Sequence, residues 1–288
     1  MGGGNSSPSP PPSPPPTLLS TPWRNLPWNK EEDLNFVKSF KPWNQDVSHL
    51  RILLYGPVGA GKSSFINSVD TALQGRIASR APTDAISGRS YTTKYKTYKI
   101  RKGQGSHYPF VFNDIMGFEK DTDRGVDVDD VILALKGHVE ENHQFNPTQR
   151  LKEGDKGYRS SPTLNDRVQV LVCVIPADQL SIMSDEVVKK MRKVRLTASE
   201  LGIPQLAILT KADIACAKVK QNLNNAYKSI YLKKQVDKVN TLLGIPLNSI
   251  FLVKNYDPDP NISDDMNALI MNALRQMITF GDDFLSDL

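Results

Sequence analysis

The feature that most constrains this chain is an eight-residue motif of the form G-x-x-x-x-G-K-S. An apolar run, Arg51–Gly56, precedes it and predicts a short buried strand. The pattern of Lys62–Leu73, which begins within the motif, predicts a helix. A glycine-rich turn between a strand and a helix, ending in lysine and serine, indicates a phosphate-binding P-loop. The motif comprises Gly56, Pro57, Val58, Gly59, Ala60, Gly61, Lys62 and Ser63.

Each residue type in this motif has a physical role. The glycines let backbone N–H groups point inward at a phosphate, and the helix directs its positive N-terminal end at the same oxygens. Lys62 adds a full charge at the β- and γ-phosphates, while the Ser63 hydroxyl is placed to bind Mg²⁺. Ser64 completes the predicted nucleotide-binding loop. The alternative is a glycine-rich turn that holds no ligand.

A second motif, Asp114-Ile115-Met116-Gly117, follows the predicted strand Pro109–Asp114. An aspartate at the end of a strand can hold Mg²⁺ through water, and the Gly117 amide can meet a γ-phosphate. Asp114 and Ser63 are therefore the predicted metal ligands, for a site that takes GTP or GDP with Mg²⁺. Considered alone, such an aspartate is also a common turn former.

A third motif, Thr210-Lys211-Ala212-Asp213, follows the predicted strand Gln205–Thr210. It has the [NT]-K-x-D form, in which a carboxylate accepts both N1–H and the exocyclic amine of guanine. Adenine does not present that pair of donors. The lysine stem packs along the base and ribose. Threonine in place of the commoner asparagine is expected to change a hydrogen bond that braces the loop. The alternative is a charged exit from a strand.

Two further predictions concern the edges of this site. Thr92 and Thr93 lie where a GTPase keeps its switch threonine, and Thr92 is the candidate; both also fit the predicted strand Ser90–Arg101. Lys254 and Asn255 follow the last strand and are candidates to lie against the guanine.

The residue types expected for rapid hydrolysis are missing. Phe118 stands where a Ras-type enzyme has the glutamine that orients the attacking water. No arginine finger is identifiable, although Arg76, Arg80 and Arg89 lie near the first switch region. Hydrolysis is therefore expected to be slow, or to need a second molecule.

Buried apolar strands separated by helices predict the fold class: an α/β, G-domain-like P-loop NTPase with a doubly wound, mostly parallel sheet and helices on both faces. The predicted organisation is a disordered Pro/Ser/Gly-rich tail over 1–20, a Trp-containing lead-in over 21–49 and the G domain over 50–288. Further helices are predicted over 126–139, 185–201, 218–243 and 263–279, and further strands over 168–175 and 250–253, while residues 140–166 are expected to be irregular.

Composition and charge limit the classes of partner that this chain is expected to bind. The net charge is +5, but lysine and arginine are spread along the chain, which favours a solvated surface over a dedicated nucleic-acid face. No apolar stretch approaches the roughly 20 residues of a transmembrane helix, and the two cysteines lack metal-site spacing. We therefore expect a cytoplasmic protein. The start Met1–Ser6 fits the N-myristoylation pattern at Gly2, and the proline-rich tail offers PxxP spacing; a simple solvated tail is the alternative.

Several segments, TPWRNLPW, RILLYGPVGAGKSSFINSV, FNDIMGFE, LTKAD and FLVKNY, together resemble the interferon-induced protein 44 family over about residues 21–288. The resemblance implies a cytoplasmic GTP-binding protein of the antiviral innate response. By motif it implies that Gly56–Ser64 is the phosphate loop, Asp114–Gly117 the metal and γ-phosphate element and Thr210–Asp213 the base reader.

Three hypotheses follow. The first is a GTP-binding switch that hydrolyses slowly or only after assembling with itself or a protein partner. The second is a non-hydrolysing interaction module in which the nucleotide is structural. The third is a P-loop ATPase or small-molecule kinase, which the Thr210–Asp213 motif disfavours.

Overall fold

The strands and helices follow the alternation expected from the sequence. The computed structural model describes residues 17–25, 30–83, 92–121, 124–256 and 261–288. The strands formed by these residues are β1 (Leu50–Tyr55), β2 (Lys96–Gly103), β3 (Ser106–Asp114), β4 (Val170–Pro176), β5 (Gln205–Thr210) and β6 (Ile250–Leu252). Their α-helices are α1 (Lys30–Ser39), α2 (Lys62–Gln74), α3 (Val128–Leu135), α4 (Asp185–Glu200), α5 (Ala212–Ala215), α6 (Ala217–Gln221), α7 (Ile230–Leu243) and α8 (Asp264–Ser286). Two 3₁₀ turns span Leu223–Lys228 and Leu247–Ser249.

The strands form one sheet in the order β2-β3-β1-β4-β5-β6. Neighbouring strands from β3 to β6 are parallel, and β2 at the edge pairs antiparallel with β3. Every residue of β4 is buried, as expected for a strand that is covered on both faces. The mixed, mostly parallel sheet with helices confirms the predicted α/β P-loop NTPase fold.

Two hydrophobic cores lie on opposite faces of this sheet. Along β1, Leu53 and Tyr55 belong to one core, whereas Leu50, Ile52 and Leu54 belong to the other, because successive side chains of a strand point to opposite faces. The first core is completed by apolar side chains of α3, α4 and α7, and the second by those of α1, α2 and α8. The sheet is therefore a buried middle layer whose strand ends are fixed from both sides.

Several boundaries differ from the predictions for local reasons. The predicted helix over 218–243 is interrupted, because the Ser229 hydroxyl caps a new helix by accepting from the Leu232 amide at 3.2 Å. The predicted helix over 126–139 is shorter and ends before Gly137, whose φ is 83°. The C-terminal helix, α8, extends beyond 279, with buried Gly281 against Leu50 and Val170.

The lead-in segment packs on the rest of the chain through α1. Val37 is fully buried and Phe40 nearly so, both in the core that includes α8. Arg275 of α8 donates to Asp33 at 2.7 Å and to Glu32 at 3.1 Å. Of the predicted tail, residues 1–16 lie outside the described residues, as does Trp28 of the lead-in. The division into tail, lead-in and G domain stays a prediction.

The long connection between α3 and β4 has no helix or strand, as expected for residues 140–166. Aspartates at the start of α3 hold this connection in place through contacts with Arg150 and Leu151. Buried Asp130 accepts from the Leu151 amide at 2.9 Å through Oδ1, while its Oδ2 is buried without a hydrogen-bond partner. Arg150 bridges to Asp127 at 3.1 Å and to Asp129 at 2.5 Å.

These aspartates give a pH-dependent prediction. Burial, reinforced by the charges of Asp127 and Asp129, raises the pKa of Asp130 to about 6. In the unfolded chain the pKa of an aspartate is about 3.9. Between these values the native state binds more protons than the unfolded state, so this group lowers the free energy of unfolding as the pH rises. We expect Asp130→Asn to flatten that decline between about pH 4 and 6 in urea unfolding followed by circular dichroism.

Asp129→Asn is the matched control. A hydrogen bond from Lys193 holds the pKa of Asp129 below its usual value, so its charged form stabilises the native state. Its substitution should reduce stability at neutral pH, and this effect should fade only below about pH 4. Parallel pH profiles for wild type and Asp130→Asn would contradict the assignment.

Candidate functional site

The three sequence motifs meet at one edge of the sheet. The loop Gly56–Ser63 leaves β1, Asp114 ends β3, Thr210 ends β5, and Lys254 and Asn255 follow β6. These strands are parallel, so their carboxyl ends share an edge. This is the position at which open α/β sheets collect ligands.

The backbone of the Gly56–Ser63 loop requires glycine at its start. Gly56 has φ of 148°, and a Cβ atom there would lie 2.1 Å from the Val174 carbonyl oxygen of the neighbouring strand. At the other end, Gly61 is the N-cap of α2 with φ of 88° and offers no side-chain acceptor to the first-turn amides. The helix therefore starts with the arrangement that binds anions through backbone N–H groups.

Lys62 turns into the loop. Its side chain is buried, and Nζ donates to the carbonyl oxygens of Pro57 at 3.1 Å and Gly56 at 3.4 Å. Burial lowers the pKa of the ammonium group, an effect that the nearby carboxylate of Asp114 opposes. The lysine is thus held inside the loop by carbonyls that a phosphate could replace.

Ser63, Asp114 and Thr92 form an oxygen cluster beside the loop. The Ser63 hydroxyl donates to Asp114 Oδ2 at 2.5 Å, and Thr92 Oγ1 donates to the same oxygen at 3.3 Å and lies 3.4 Å from Ser63 Oγ. Asp114 is fully buried and its Oδ1 has no hydrogen-bond partner. Burial raises the pKa of this carboxyl above its usual value, although Lys62 and these hydrogen bonds oppose the shift.

The structure tests one of the two interpretations of Thr92, while its role as a switch threonine stays a prediction. Strand β2 begins at Lys96, so the interpretation of Thr92 as a strand residue is wrong. Residues 84–91, which include Arg89, lie outside the described residues. The hydroxyl and carboxylate oxygens of Ser63, Thr92 and Asp114 are the donor types that Mg²⁺ prefers, and the orphaned Asp114 Oδ1 fits such a cation.

The second motif is joined to the first through the backbone. The Val58 amide donates to the Phe118 carbonyl at 3.1 Å, and the Phe118 amide donates to the Gly56 carbonyl at 3.0 Å. Gly117 is required there, because a Cβ atom would lie 2.6 Å from the Val58 nitrogen. The Phe118 ring is buried, with its centroid 6.3 Å from that of Tyr55, and therefore points into the core.

The third motif and the β6 loop support the phosphate loop from the opposite side. The Thr210 hydroxyl donates to the Ala60 carbonyl at 2.6 Å, a loop-bracing contact of the kind expected for this threonine. Asn255 Nδ2 donates to the Gly61 carbonyl at 3.1 Å. The sequence placed Asn255 near the base, and the structure adds its contact with the phosphate loop, which no motif spacing signals.

Lys211 and Asp213 line different cavities. Lys211 has left-handed backbone geometry, with φ of 57°, and borders a cavity of about 500 Å³ shared with Pro57, Gly59 and Phe118. Asp213 borders a second cavity of about 440 Å³, which we term the base-side cavity. Lys254 is also on its wall. Val219, Lys220, Leu223 and Met266 also line it.

Two other residues considered in the sequence analysis are Ser64 and Arg80. Ser64 lies on α2, where its carbonyl accepts from the Ser68 hydroxyl at 2.7 Å. Arg80 donates to the Lys99 carbonyl at 2.8 Å, so its guanidinium is engaged at the sheet edge. Within the described part of the chain, no group of three or more His, Cys, Asp and Glu side chains is arranged to hold a metal ion. Nor does any described helix have the length and apolarity to cross a membrane.

Comparison with known proteins gives clear relatives. Human interferon-induced protein 44 is 32% identical over 256 residues, and human interferon-induced protein 44-like is 33% identical over 253 residues. Mouse interferon-induced protein 44 is 31% identical over 260 residues. Each alignment covers 88% of this chain, but only 57%, 56% and 60% of the respective relative, so the chain spans a little over half of their length. No protein-family model matches the chain.

Solved structures of lower similarity were also found. Toc33 from Arabidopsis thaliana in complex with Mg²⁺ and GMPPNP has a TM-score of 0.49 and 14% sequence identity, covering 88% of this chain and 91% of that one. Toc33 in complex with GDP and Mg²⁺ has a TM-score of 0.46 and 13% identity, covering 89% and 90%.

The buried carboxyl group predicts a stability change. Because the native pKa of Asp114 is raised, its ionised form lowers stability at a pH above that value. We expect Asp114→Asn to raise the midpoint of thermal unfolding of the ligand-free protein at pH 8, with a smaller gain at pH 5. Differential scanning calorimetry measures both. Asp283→Asn, on the exposed side of α8, is the control, and a lower midpoint for Asp114→Asn at pH 8 would refute the expectation.

Proposed function

Because the chain belongs to the interferon-induced protein 44 family over the segment that it shares with these relatives, we propose that it is an interferon-induced, GTP-binding protein. The observation that carries the nucleotide assignment is the joining of three motifs around one loop. Ser63 contacts Asp114, Thr210 contacts Ala60 and Asn255 contacts Gly61. The three motifs thus share one framework at the edge of the sheet where open α/β folds bind ligands, which supports this proposal.

The phosphates would lie at Gly56–Ser64 and the start of α2. Lys62 Nζ already lies within the loop and would exchange its carbonyl partners for phosphate oxygens. Ser63 and Asp114 would hold Mg²⁺, with Thr92 close enough to join them, and Gly117 would lie at the γ-phosphate. When bound, the ion would neutralise phosphate charge.

The base would occupy the cavity bordered by Asp213. Its carboxylate would accept the N1–H and exocyclic amine of guanine, with Lys254 on the cavity wall. Lys211 borders the separate cavity beside the phosphate loop, so its stem would have to turn toward Asp213 to lie along the base. Thr210 and Asn255 would support the phosphate loop from this side. The volume of the base-side cavity, about 440 Å³, lies within the range usual for small-molecule sites.

We further propose slow turnover, or turnover that depends on assembly with a second copy or a protein partner. Phe118 occupies the position of the water-orienting glutamine, and its ring is buried against Tyr55. Arg80 is engaged by the Lys99 carbonyl. The same observations favour the second candidate, a non-hydrolysing module in which the nucleotide is structural. The family resemblance supports a cytoplasmic location and an antiviral role.

Base recognition gives the sharpest test. In isothermal titration with Mg²⁺, wild type should bind GTP more tightly than ATP. Asp213→Asn should weaken GTP binding about tenfold or more, because a charged hydrogen bond contributes roughly 1.5–3 kcal/mol. It should strengthen binding of xanthosine triphosphate, whose additional carbonyl can accept from the new amide.

Two further variants complete this test. Lys62→Ala should weaken GTP and xanthosine triphosphate alike, whereas Lys234→Ala, on the exposed surface of α7, should change neither. Equal affinity of wild type for GTP and ATP would remove the guanine assignment. Retention of GTP by Lys62→Ala would remove the phosphate site.

Turnover separates the two candidate functions. We expect phosphate release from GTP to be slow at low protein concentration, and to rise per molecule with concentration if assembly completes the site. Absence of release at every concentration, with GTP binding intact, would support the non-hydrolysing module. Fast release that does not depend on concentration would contradict both candidates. Light scattering under the same conditions reports the oligomeric state.

A further inference from the structure

Arg24, in the lead-in segment, occupies an aromatic and carbonyl-lined recess. Its guanidinium lies 5.3 Å from the ring centroid of Trp23 and 5.5 Å from those of Tyr227 and Phe251. It donates to the Ile250 carbonyl at 2.5 Å and also to the Leu247 carbonyl. A planar guanidinium can contact rings and two separate carbonyls at once, which a lysine ammonium cannot match in geometry. Arg24 therefore joins the lead-in to the start of β6.

The residues before Arg24 are paired with a second backbone segment. The Leu19 amide donates to the Lys228 carbonyl at 2.8 Å, and the Trp23 amide donates to the Tyr227 carbonyl at 2.9 Å. In return, the Ile230 amide donates to the Thr17 carbonyl at 3.2 Å. We term Thr17–Arg24 the strap. It fastens the turn Leu223–Lys228 along its outer side.

Tyr227 connects the turn Leu223–Lys228 with β6, and the strap contacts both segments. Its ring packs on Trp23 with a centroid separation of 4.9 Å, and its hydroxyl accepts from the Leu252 amide at 3.1 Å. Leu252 ends β6, and Lys254 and Asn255 follow it after a single residue, Val253. The tyrosine is buried, so movement of the strap changes the surroundings of both segments.

The turn Leu223–Lys228 and strand β6 both lead to the base-side cavity. The turn begins at Leu223, which lines that cavity, and Asn225 donates to the Lys218 carbonyl at 3.1 Å in α6. Helix α6 contributes Val219 to the cavity wall. The strand β6 leads to Lys254 on the same wall. Asp213 itself lies in α5, which connects directly to α6.

We propose that the strap positions the base-side cavity, with Arg24 and Trp23 as positioning residues for guanine selection. This inference rests on the proposed nucleotide site and assigns a role in it to the strap, which includes the last residues of the predicted tail and the first residues of the lead-in. The strap contacts the two segments that carry the cavity walls. Its described hydrogen bonds do not reach the phosphate loop. Loss of the strap should therefore loosen recognition of the base and spare the phosphate contacts.

The test compares GDP with IDP, which lacks only the exocyclic amine of guanine. The ratio of their affinities, measured by titration calorimetry with Mg²⁺, isolates the base because their phosphate tails are identical. Wild type should prefer GDP by about tenfold. Arg24→Ala should reduce this preference about fivefold, within the range of energetic coupling through packed networks. Tyr227→Phe, which removes only the hydroxyl that accepts from Leu252, should reduce it in the same direction.

Trp43→Ala is the matched control, because Trp43 belongs to the same lead-in but is 77% exposed. It should leave the ratio unchanged. In an Asp213→Asn background the preference is already lost, so adding Arg24→Ala should produce no further change in the ratio. That result would indicate that Arg24 affects base selection through the Asp213 carboxylate.

The outcomes separate this inference from the proposed function. Equal weakening of GDP and IDP in both Arg24→Ala and Tyr227→Phe, with the ratio intact, would show a general structural role and overturn the inference. An unchanged ratio and unchanged affinities would overturn it as well, while leaving guanine binding in place. A wild type that does not prefer GDP over IDP would overturn the guanine assignment, and the strap's role with it.

Discussion

The phosphate loop depends on satisfying backbone groups that face inward at a strand end. Lys62 donates to the carbonyls of Gly56 and Pro57, while Thr210 and Asn255 donate to those of Ala60 and Gly61. Buried carbonyls without partners would cost free energy, so these donors define the loop as much as its glycines do. The loop is consequently held from the β5 and β6 side before any ligand arrives. Such preorganisation reduces the ordering cost of binding.

The same loop is coupled to the segment that follows β3. Two backbone hydrogen bonds between Gly56, Val58 and Phe118 make this segment an extension of the loop. A switch that responds to a γ-phosphate at Gly117 would have to break or shift these bonds, because Gly117 already lies against Val58. The Phe118 ring anchors the segment in the core. A γ-phosphate at Gly117 would therefore act on a segment that is joined to the phosphate loop and anchored in the core.

Sequence alone predicted the fold class and the order of the site elements, because buried parallel strands and the motif at 56–63 have strong signatures. The sequence could not predict which residues, distant along the chain, contact one another at the site. Asn255 was placed at the base but also contacts Gly61, and Thr92 lies beside Asp114 although its neighbours suggested a strand. Arg24 carries no motif, and only the family resemblance of the segment TPWRNLPW marked its surroundings. These contacts arise from tertiary packing, which periodicity does not encode.

Several polar groups at this edge of the sheet lack the partners that burial normally demands. Asp114 is buried with an orphaned oxygen, Asn255 Oδ1 likewise has no partner, and burial lowers the pKa of Lys62. Their cost is tolerated because the two cores on opposite faces of the sheet fix the strand ends around them. A bound cation would offer a partner to the Asp114 carboxylate and a bound phosphate would offer one to Lys62, so ligand binding would stabilise the fold at these groups. At these groups the free-energy cost of burial is one that ligand binding can relieve.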